Sequence, residues 1–253
     1  MKTTDPLDAA RVELLLGELR LPAIKLMWAD LAALAEQEVS ERARRRIERH
    51  LTDARLPVGK TLDTFDFDAV PTISKAQVMA LAAGDSWLEK GANLLLFGSP
   101  GGGKSHLGAA IGLALVENGW RVLFTRTTDL VQRLQVARSE LALESMIAKL
   151  DKYHLIILDD LAYVRKDQAE TSVLFELISA RYERRSLLIT ANQPFGEWGK
   201  IFPDPAMTVA AIDRLVHHAT IFEMNVESYR RRAAIERKHG SGRPTRATVK
   251  ASS

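Results

Sequence analysis

Cysteine is missing from all 253 residues of this chain. Its absence excludes disulfide scaffolds, thiolate zinc sites, iron–sulfur clusters and cysteine nucleophiles at once. Glycine (15) and proline (9) are not in excess, so neither a fibrous nor a low-complexity chain is in view. Long apolar runs are missing too. The longest, from Leu107 to Val116, covers ten residues, far short of the ~20 that a membrane-spanning helix needs. The opening MKTTDPLDAAR lacks the apolar core of an export signal. These absences predict a cytoplasmic protein with no membrane part. What is present, 46% hydrophobic and 26% charged residues, is the composition of a folded chain with room for one substantial domain and an attachment.

The formal net charge of +3 conceals an asymmetry. From Tyr229 to Ser253 there are eight Lys/Arg against Glu236 alone, a balance of +7, which leaves −4 for the rest. A second basic knot, Glu41 to Arg49, holds five Arg and two Glu. Segregated basic clusters on a mildly acidic chain point toward a polyanion such as nucleic acid; solvated helix faces and a solubilising tail produce the same pattern.

Periodicity divides the chain into two regimes. Asp5 and Pro6 suit a helix start, and Leu15/Leu19 and Met27/Leu31/Leu34 recur at helical spacing. This predicts helix over 7–36, interrupted near Pro22, and a second helix over 40–54. An extended connector is expected at 61–70 and a further helix at 74–84. After Gly91, short apolar runs at 93–97, 121–125, 154–159, 186–191 and 219–224 alternate with helical patterns at 104–118, 128–150 and 167–185. Strands buried on both faces and separated by helices describe an α/β fold with a five-stranded parallel, doubly wound sheet. Residues 240–253 read as a basic, disordered tail.

The strongest chemical signal is Gly98-Ser99-Pro100-Gly101-Gly102-Gly103-Lys104-Ser105, which fits the phosphate-binding loop G-x-x-x-x-G-K-[ST]. Glycines let the backbone curl so that successive N–H groups aim at phosphate oxygens. Lys104 reaches the β- and γ-phosphates in such a loop, and the Ser105 hydroxyl holds Mg²⁺. Leu158-Asp159-Asp160 ends an apolar strand in two carboxylates, at the sheet edge where ligands bind. Asp159 suits the Mg²⁺ shell and Asp160 the orientation of an attacking water. Asn192, closing another strand, is either a water-positioning residue or a turn residue before Pro194. Arg214 is either a surface ion-pair partner or a group that projects into a neighbouring subunit's site. His217 and His218 do not share a helical face and read as packing or solvent residues.

These pieces, in this order, resemble the AAA+ ATPases of the initiator and loader branch that includes DnaA, DnaC and IstB. The likeness covers nearly the whole chain and is closest to IstB, the ATP-dependent helper of insertion-sequence transposases. Leu21-Pro-Ala-Ile24, Phe97 through His106 to Leu107, Leu158 to Leu161, Phe195-Gly-Glu-Trp198 and Ala211 to His218 carry it. The resemblance implies an N-terminal helical domain over 1–60 and an ATPase domain over 61–239. It assigns Lys104 and Ser105 to Walker A, Asp159 and Asp160 to Walker B, Asn192 to the sensor and Arg214 to the arginine finger, with ATP and Mg²⁺ bound along 98–106. Asp160 departs from the longer Glu of many AAA+ proteins, and with no room for a C-terminal lid a second sensor is either Arg230 or absent. The partners implied are double-stranded DNA, the element's transposase, and further copies of the chain that place ATP sites at subunit interfaces. A DnaC-like replicative helicase loader shares every one of these motifs and stands as the alternative. A metabolic phosphate-loop kinase and a nucleotide-binding module without hydrolysis are the readings from other classes.

Overall fold

The computed structural model describes residues 6–20, 22–161, 168–193, 195–200 and 204–224. The predicted cap Asp5, the basic segment from Tyr229 with Arg230, and the tail 240–253 lie outside them. The chain divides into two compact units, Met1–Arg49 and His50–Ser253.

The first unit is helical. Helix α1 (Pro6–Glu18) and helix α2 (Pro22–Ala54) are separated at the interruption expected near Pro22, which opens α2 at the position where a missing N–H costs nothing. The two predicted helices before and after residue 40 are instead one. Gln37, Glu38 and Val39 contain no helix breaker, and Glu38 accepts from Arg42 one turn on at 2.6 Å. The apolar residues at helical spacing, Leu15, Leu19, Met27, Leu31 and Leu34, are exposed. The arginine knot is laced with acids: Arg44 meets Glu41 at 2.6 Å and Glu48 at 3.5 Å, and Arg45 lies 3.8 Å from Glu41. The Arg44 hydrogen bond holds the Glu41 carboxyl below its ordinary range. Such exposed pairs stabilise little and exchange readily for other anions.

In the second unit the segment 61–70 departs from the expected extended form. It is a run of turns, with Phe65 N–H on Leu62 O and Val70 N–H on Phe67 O. Hydroxyl bonds between Thr61 and Thr64, and Asp66 accepting from Ala69 N–H, offer this backbone local partners that a strand would forgo. Helix α3 (Lys75–Ala83) follows, capped by the Ser74 hydroxyl. Then come β1 (Leu94–Gly98), α4 (Lys104–Glu117), β2 (Val122–Arg126), α5 (Thr127–Ser139), α6 (Leu143–Leu150), β3 (Leu155–Asp159), α7 (Gln168–Arg181), β4 (Ser186–Ala191), a 3₁₀ turn (Phe195–Lys200), α8 (Pro205–Val216) and β5 (Thr220–Met224). Every ladder is parallel, and the strands lie in the order β2-β3-β4-β1-β5.

Strand alternation sorts the core into two layers. Leu95, Phe97, Ile156, Leu158, Leu187 and Ile189 pack on the side of α5, α7 and α8, while Leu94, Leu96, Leu155, Ile157 and Leu188 pack toward α4 and its surroundings. Helix α4 lies close against the sheet because Gly112 has no side chain there: a Cβ would meet Ile157 Cδ1 at 2.6 Å. Among the described residues no helix is long and apolar enough to cross a membrane.

Arg181 anchors the amino-terminal edge of the sheet. Its side chain is almost wholly buried and donates to the carbonyls of Leu150 (3.1 Å), Tyr153 (2.9 Å), His154 (3.3 Å) and Ser186 (3.0 Å). Burial pushes its pKa down to about 9, which leaves the guanidinium protonated at neutral pH. The planar fork reaches four acceptors that an ammonium cannot match. Arg181→Met is therefore expected to destabilise the protein by about 3 kcal/mol or more, because buried carbonyls lose their donors. Denaturant unfolding followed by circular dichroism measures this, and Arg181→Lys should recover only a minor part of the loss.

Candidate functional site

Parallel strands bring all their carboxyl ends to one edge, so the residues that follow Gly98, Asp159 and Ala191 are neighbours although far apart in sequence. The register sets Leu158 beside Ile189, and Thr190 beside Leu96. At ~4.8 Å per strand, Asp159 lies about 10 Å across the sheet from β1. Helix α4, after β1, packs on one face; α8, after the adjacent β4, packs on the other. That reversal opens a crevice at the carboxyl edge, the usual ligand position in such sheets.

The loop 98–103 enters this crevice. Gly103 caps α4 in the left-handed region at φ 94°, and a Cβ there would meet Phe65 Cε2 at 3.1 Å. No side chain caps this helix end, so its first-turn N–H groups face the loop, the arrangement that favours an anion. Lys104 is buried, its ammonium donating to Gly98 O at 2.7 Å and Ser99 O at 2.9 Å. Ser105 and His106 are half-buried on the first turn of α4, next to Lys104. His106 Nε2 lies 3.2 Å from Thr61 O and 3.1 Å from the Thr64 hydroxyl, with Phe65 edge-on to the ring. Burial pushes this imidazole's pKa down.

The carboxylates are tied to β4. Thr190 Oγ1 donates to Asp159 Oδ1 at 2.7 Å and accepts from Asp160 N–H at 2.9 Å. Asn192 Nδ2 donates to Asp160 Oδ1 at 3.2 Å. Thr127 donates to the Asp159 carbonyl at 3.0 Å. The structure thus joins Asp159, Asp160 and Asn192 in one hydrogen-bonded group. The Ser105 hydroxyl and the Asp159 carboxylate are hard oxygen donors of the kind Mg²⁺ takes, and Thr190 fixes the orientation of the carboxylate, so these residues fit that ion.

Arg214 is not brought to this edge. Asn93, just before β1, donates to the carbonyls of Arg214 (3.5 Å) and Leu215 (3.1 Å) and accepts from Leu187 N–H at 2.9 Å. Arg214 therefore sits at the amino-terminal edge, about 16 Å along β1 from the loop. Its guanidinium lies over the Phe175 ring at 5.1 Å and donates to Ala210 O at 3.0 Å. His217 and His218 are exposed, with His217 stacked on Tyr182 and bonded to its hydroxyl at 2.6 Å. Trp198 is buried and braces the loop after β4 by donating to Gln193 O.

Two parts of the site have no role legible in the sequence alone. Thr190 was one of the residues of an apolar strand; its parity with Asn192 is the signal that sets both on one side. Phe65 and Thr64 fell in the connector, and nothing local marks their approach to Gly103 and His106.

The sequence pattern of the IstB-like ATP binding protein family matches residues 24–237. An insertion sequence ATP-binding protein of Sinorhizobium fredii is 72% identical over 263 aligned positions, 98% of this chain and 88% of that protein. The ATP-binding protein of insertion sequence IS21 from Pseudomonas aeruginosa is 39% identical over 200 positions, 79% of this chain and 75% of that one. The crystal structure of the DnaC helicase loader superposes with a TM-score of 0.52 at 22% identity, covering 67% of this chain and 98% of that one. It shares the fold.

Replacing Gly103 tests the loop geometry. Gly103→Ala is expected to cost about 1–2 kcal/mol, since a Cβ in the left-handed region crowds its own backbone, and Phe65 adds to the crowding. The same change shifts the start of α4, so a labelled ATP analogue should bind more weakly. Thermal melting and fluorescence titration of the variant check the two effects.

Proposed function

The chain belongs to the family of IstB-like ATP-binding proteins, and from that premise we propose that it hydrolyses ATP to ADP and phosphate as a DNA-bound helper of insertion-sequence transposition. In this reading subunits close on one another when ATP is bound, grip duplex DNA in the cytoplasm and present it to the element's transposase. Hydrolysis then dismantles the assembly and acts as a timer. The observation that carries the reading is the hydrogen-bonded group of Asp159, Thr190, Asp160 and Asn192 beside the loop that ends in Lys104 and Ser105. The insertion-sequence setting is supported by the names of relatives at 72% and 39% identity, whereas the likeness to the helicase loader is one of fold.

The backbone N–H groups of 98–106 receive the phosphates, and Lys104 exchanges its two carbonyl partners for the more strongly attracting β- and γ-oxygens. Ser105 and Asp159 are the residues that would hold Mg²⁺, which would offset negative charge on the phosphates. Asp160 accepts a hydrogen bond from the attacking water and polarises it, and Asn192 holds that carboxylate in place. Arg214, at the edge opposite its own loop, serves a nucleotide only from an adjacent subunit. The basic knot of α2 exchanges its weak pairs with Glu38, Glu41 and Glu48 for DNA phosphates.

Lys104→Ala should abolish tight binding of a labelled ATP analogue, while Asp160→Asn should retain binding and slow cleavage. Parent-like binding in Lys104→Ala overturns the assignment of the loop. Arg214→Ala should keep single-site ATP binding and lose DNA-stimulated hydrolysis, by about 10³-fold or more if it acts as a finger. Mixing it with Lys104→Ala subunits should restore part of the activity, because intact finger then faces intact loop; full turnover in Arg214→Ala alone rejects the interface.

DNA affinity should be largely indifferent to sequence and fall steeply with salt, each phosphate neutralised contributing about −0.9 to the slope of log K against log salt. A flat salt dependence in a fluorescence-anisotropy titration contradicts this. Co-purification with the transposase encoded beside the chain, rather than with a replicative helicase, separates the transposition role from loading.

A further inference from the structure

Adjacent residues of a strand project to opposite faces, so two carboxylates in succession at the end of β3 should diverge. Asp160 avoids this through a backbone step that side chains other than glycine rarely take: its φ is +65°. One residue of the neighbouring strand brackets that step. Thr190 accepts from Asp160 N–H through its hydroxyl at 2.9 Å, and from Leu161 N–H through its carbonyl at 2.9 Å. A backbone N–H can only donate, so the hydroxyl proton is directed to the other contact, Asp159 Oδ1 at 2.7 Å. The hydroxyl is buried, with Thr190 about 1% exposed, and no free rotation is left to it. The left-handed step in turn carries the Asp160 carboxylate to Asn192 Nδ2.

We infer that Thr190 is a positioning residue whose single hydroxyl couples the two carboxylates, aiming Asp159 at the metal position and holding Asp160 in the left-handed turn that points it at the water. The inference rests on the ATPase reading of this site and deepens it. The threonine methyl does separate work: Cγ2 faces Gly108 on α4, 3.7 Å from where a Cβ on that glycine would stand. Hydroxyl and methyl can therefore be removed independently.

Thr190→Val keeps the volume and deletes the hydroxyl; Thr190→Ser keeps the hydroxyl and deletes the methyl. Three quantities are read on the full chain: affinity for a fluorescent ATP analogue in EDTA, the tightening of that affinity as Mg²⁺ is added, and the hydrolysis rate. The valine variant should bind like the parent in EDTA. It should need about 10–100-fold more Mg²⁺ for the same tightening, with hydrolysis slowed by a similar factor, the usual effect of losing a partner that orients a metal ligand. The serine variant should restore both to within a few-fold of the parent while melting at a lower temperature. A valine variant with the parent's Mg²⁺ dependence and rate overturns the inference, as does a serine variant as impaired as valine, which would assign the effect to packing. If the valine variant does not fold, Thr190→Ala compared with Thr190→Ser gives the same contrast. Lys104→Ala is the control: if it binds the analogue like the parent, the ATPase reading itself has failed, whereas normal valine behaviour beside a defective Lys104→Ala counts against Thr190 alone.

Discussion

Strand β1 takes both of its ladders from strands that come near the end of the chain, Leu94 pairing with Leu188 on one side and with Thr220 on the other. The phosphate loop hangs from the last residue of β1, and its crevice exists only because β4 lies alongside. Gly98 shows how closely the two are joined: a Cβ there would stand 2.2 Å from the carbonyl oxygen of Met224 on β5. The loop motif is local in sequence, but its working shape depends on contacts that close across more than half of the second unit. Such long loop closures are slow and are rewarded only by burial of the sheet, here in β1, β3 and β4, whose residues are buried almost throughout.

The two edges of the sheet are held by different means. At the carboxyl edge, the half-buried Asp159, Asp160 and Asn192 are joined from strand to strand through one another and the buried Thr190. At the amino-terminal edge, Arg181 and Asn93 are buried and bond to backbone carbonyls and an N–H, with Asp151 3.8 Å from the Arg181 guanidinium. Asn93 also fixes the carboxyl end of α8, and with it the place of Arg214. The part of the molecule that faces away from its own loop is thereby tied to the sheet as the loop is.

The basic groups of both units are held in local pairings. Lys104 donates to the carbonyls of Gly98 and Ser99, and Arg42 and Arg44 of α2 pair with neighbouring glutamates; in the proposed function, phosphate oxygens and a nucleic-acid backbone outcompete these partners. In that proposal each basic group keeps its local pairing until a stronger anion arrives.

The sequence by itself determined the repeating pattern of apolar strands and helices, the phosphate loop, and the pair of carboxylates closing β3. All of these are carried by local spacing, either a period of two or 3.6 residues or a motif eight residues long. It also determined the family, because the motifs occur in one order. It did not determine that α2 is a single helix, since residues without breakers are compatible with a turn or its absence. The turns of 61–70 were equally out of reach, because alternating Phe and Asp satisfy an extended strand as well as a series of side-chain-capped turns. Only the tertiary structure decided the strand order, the approach of Phe65 to Gly103, the distance of Arg214 from its own loop and the hydroxyl bridge of Thr190. Each of these is a contact between residues distant in sequence, fixed when the sheet closes and the left-handed step at Asp160 turns one carboxylate back toward the other.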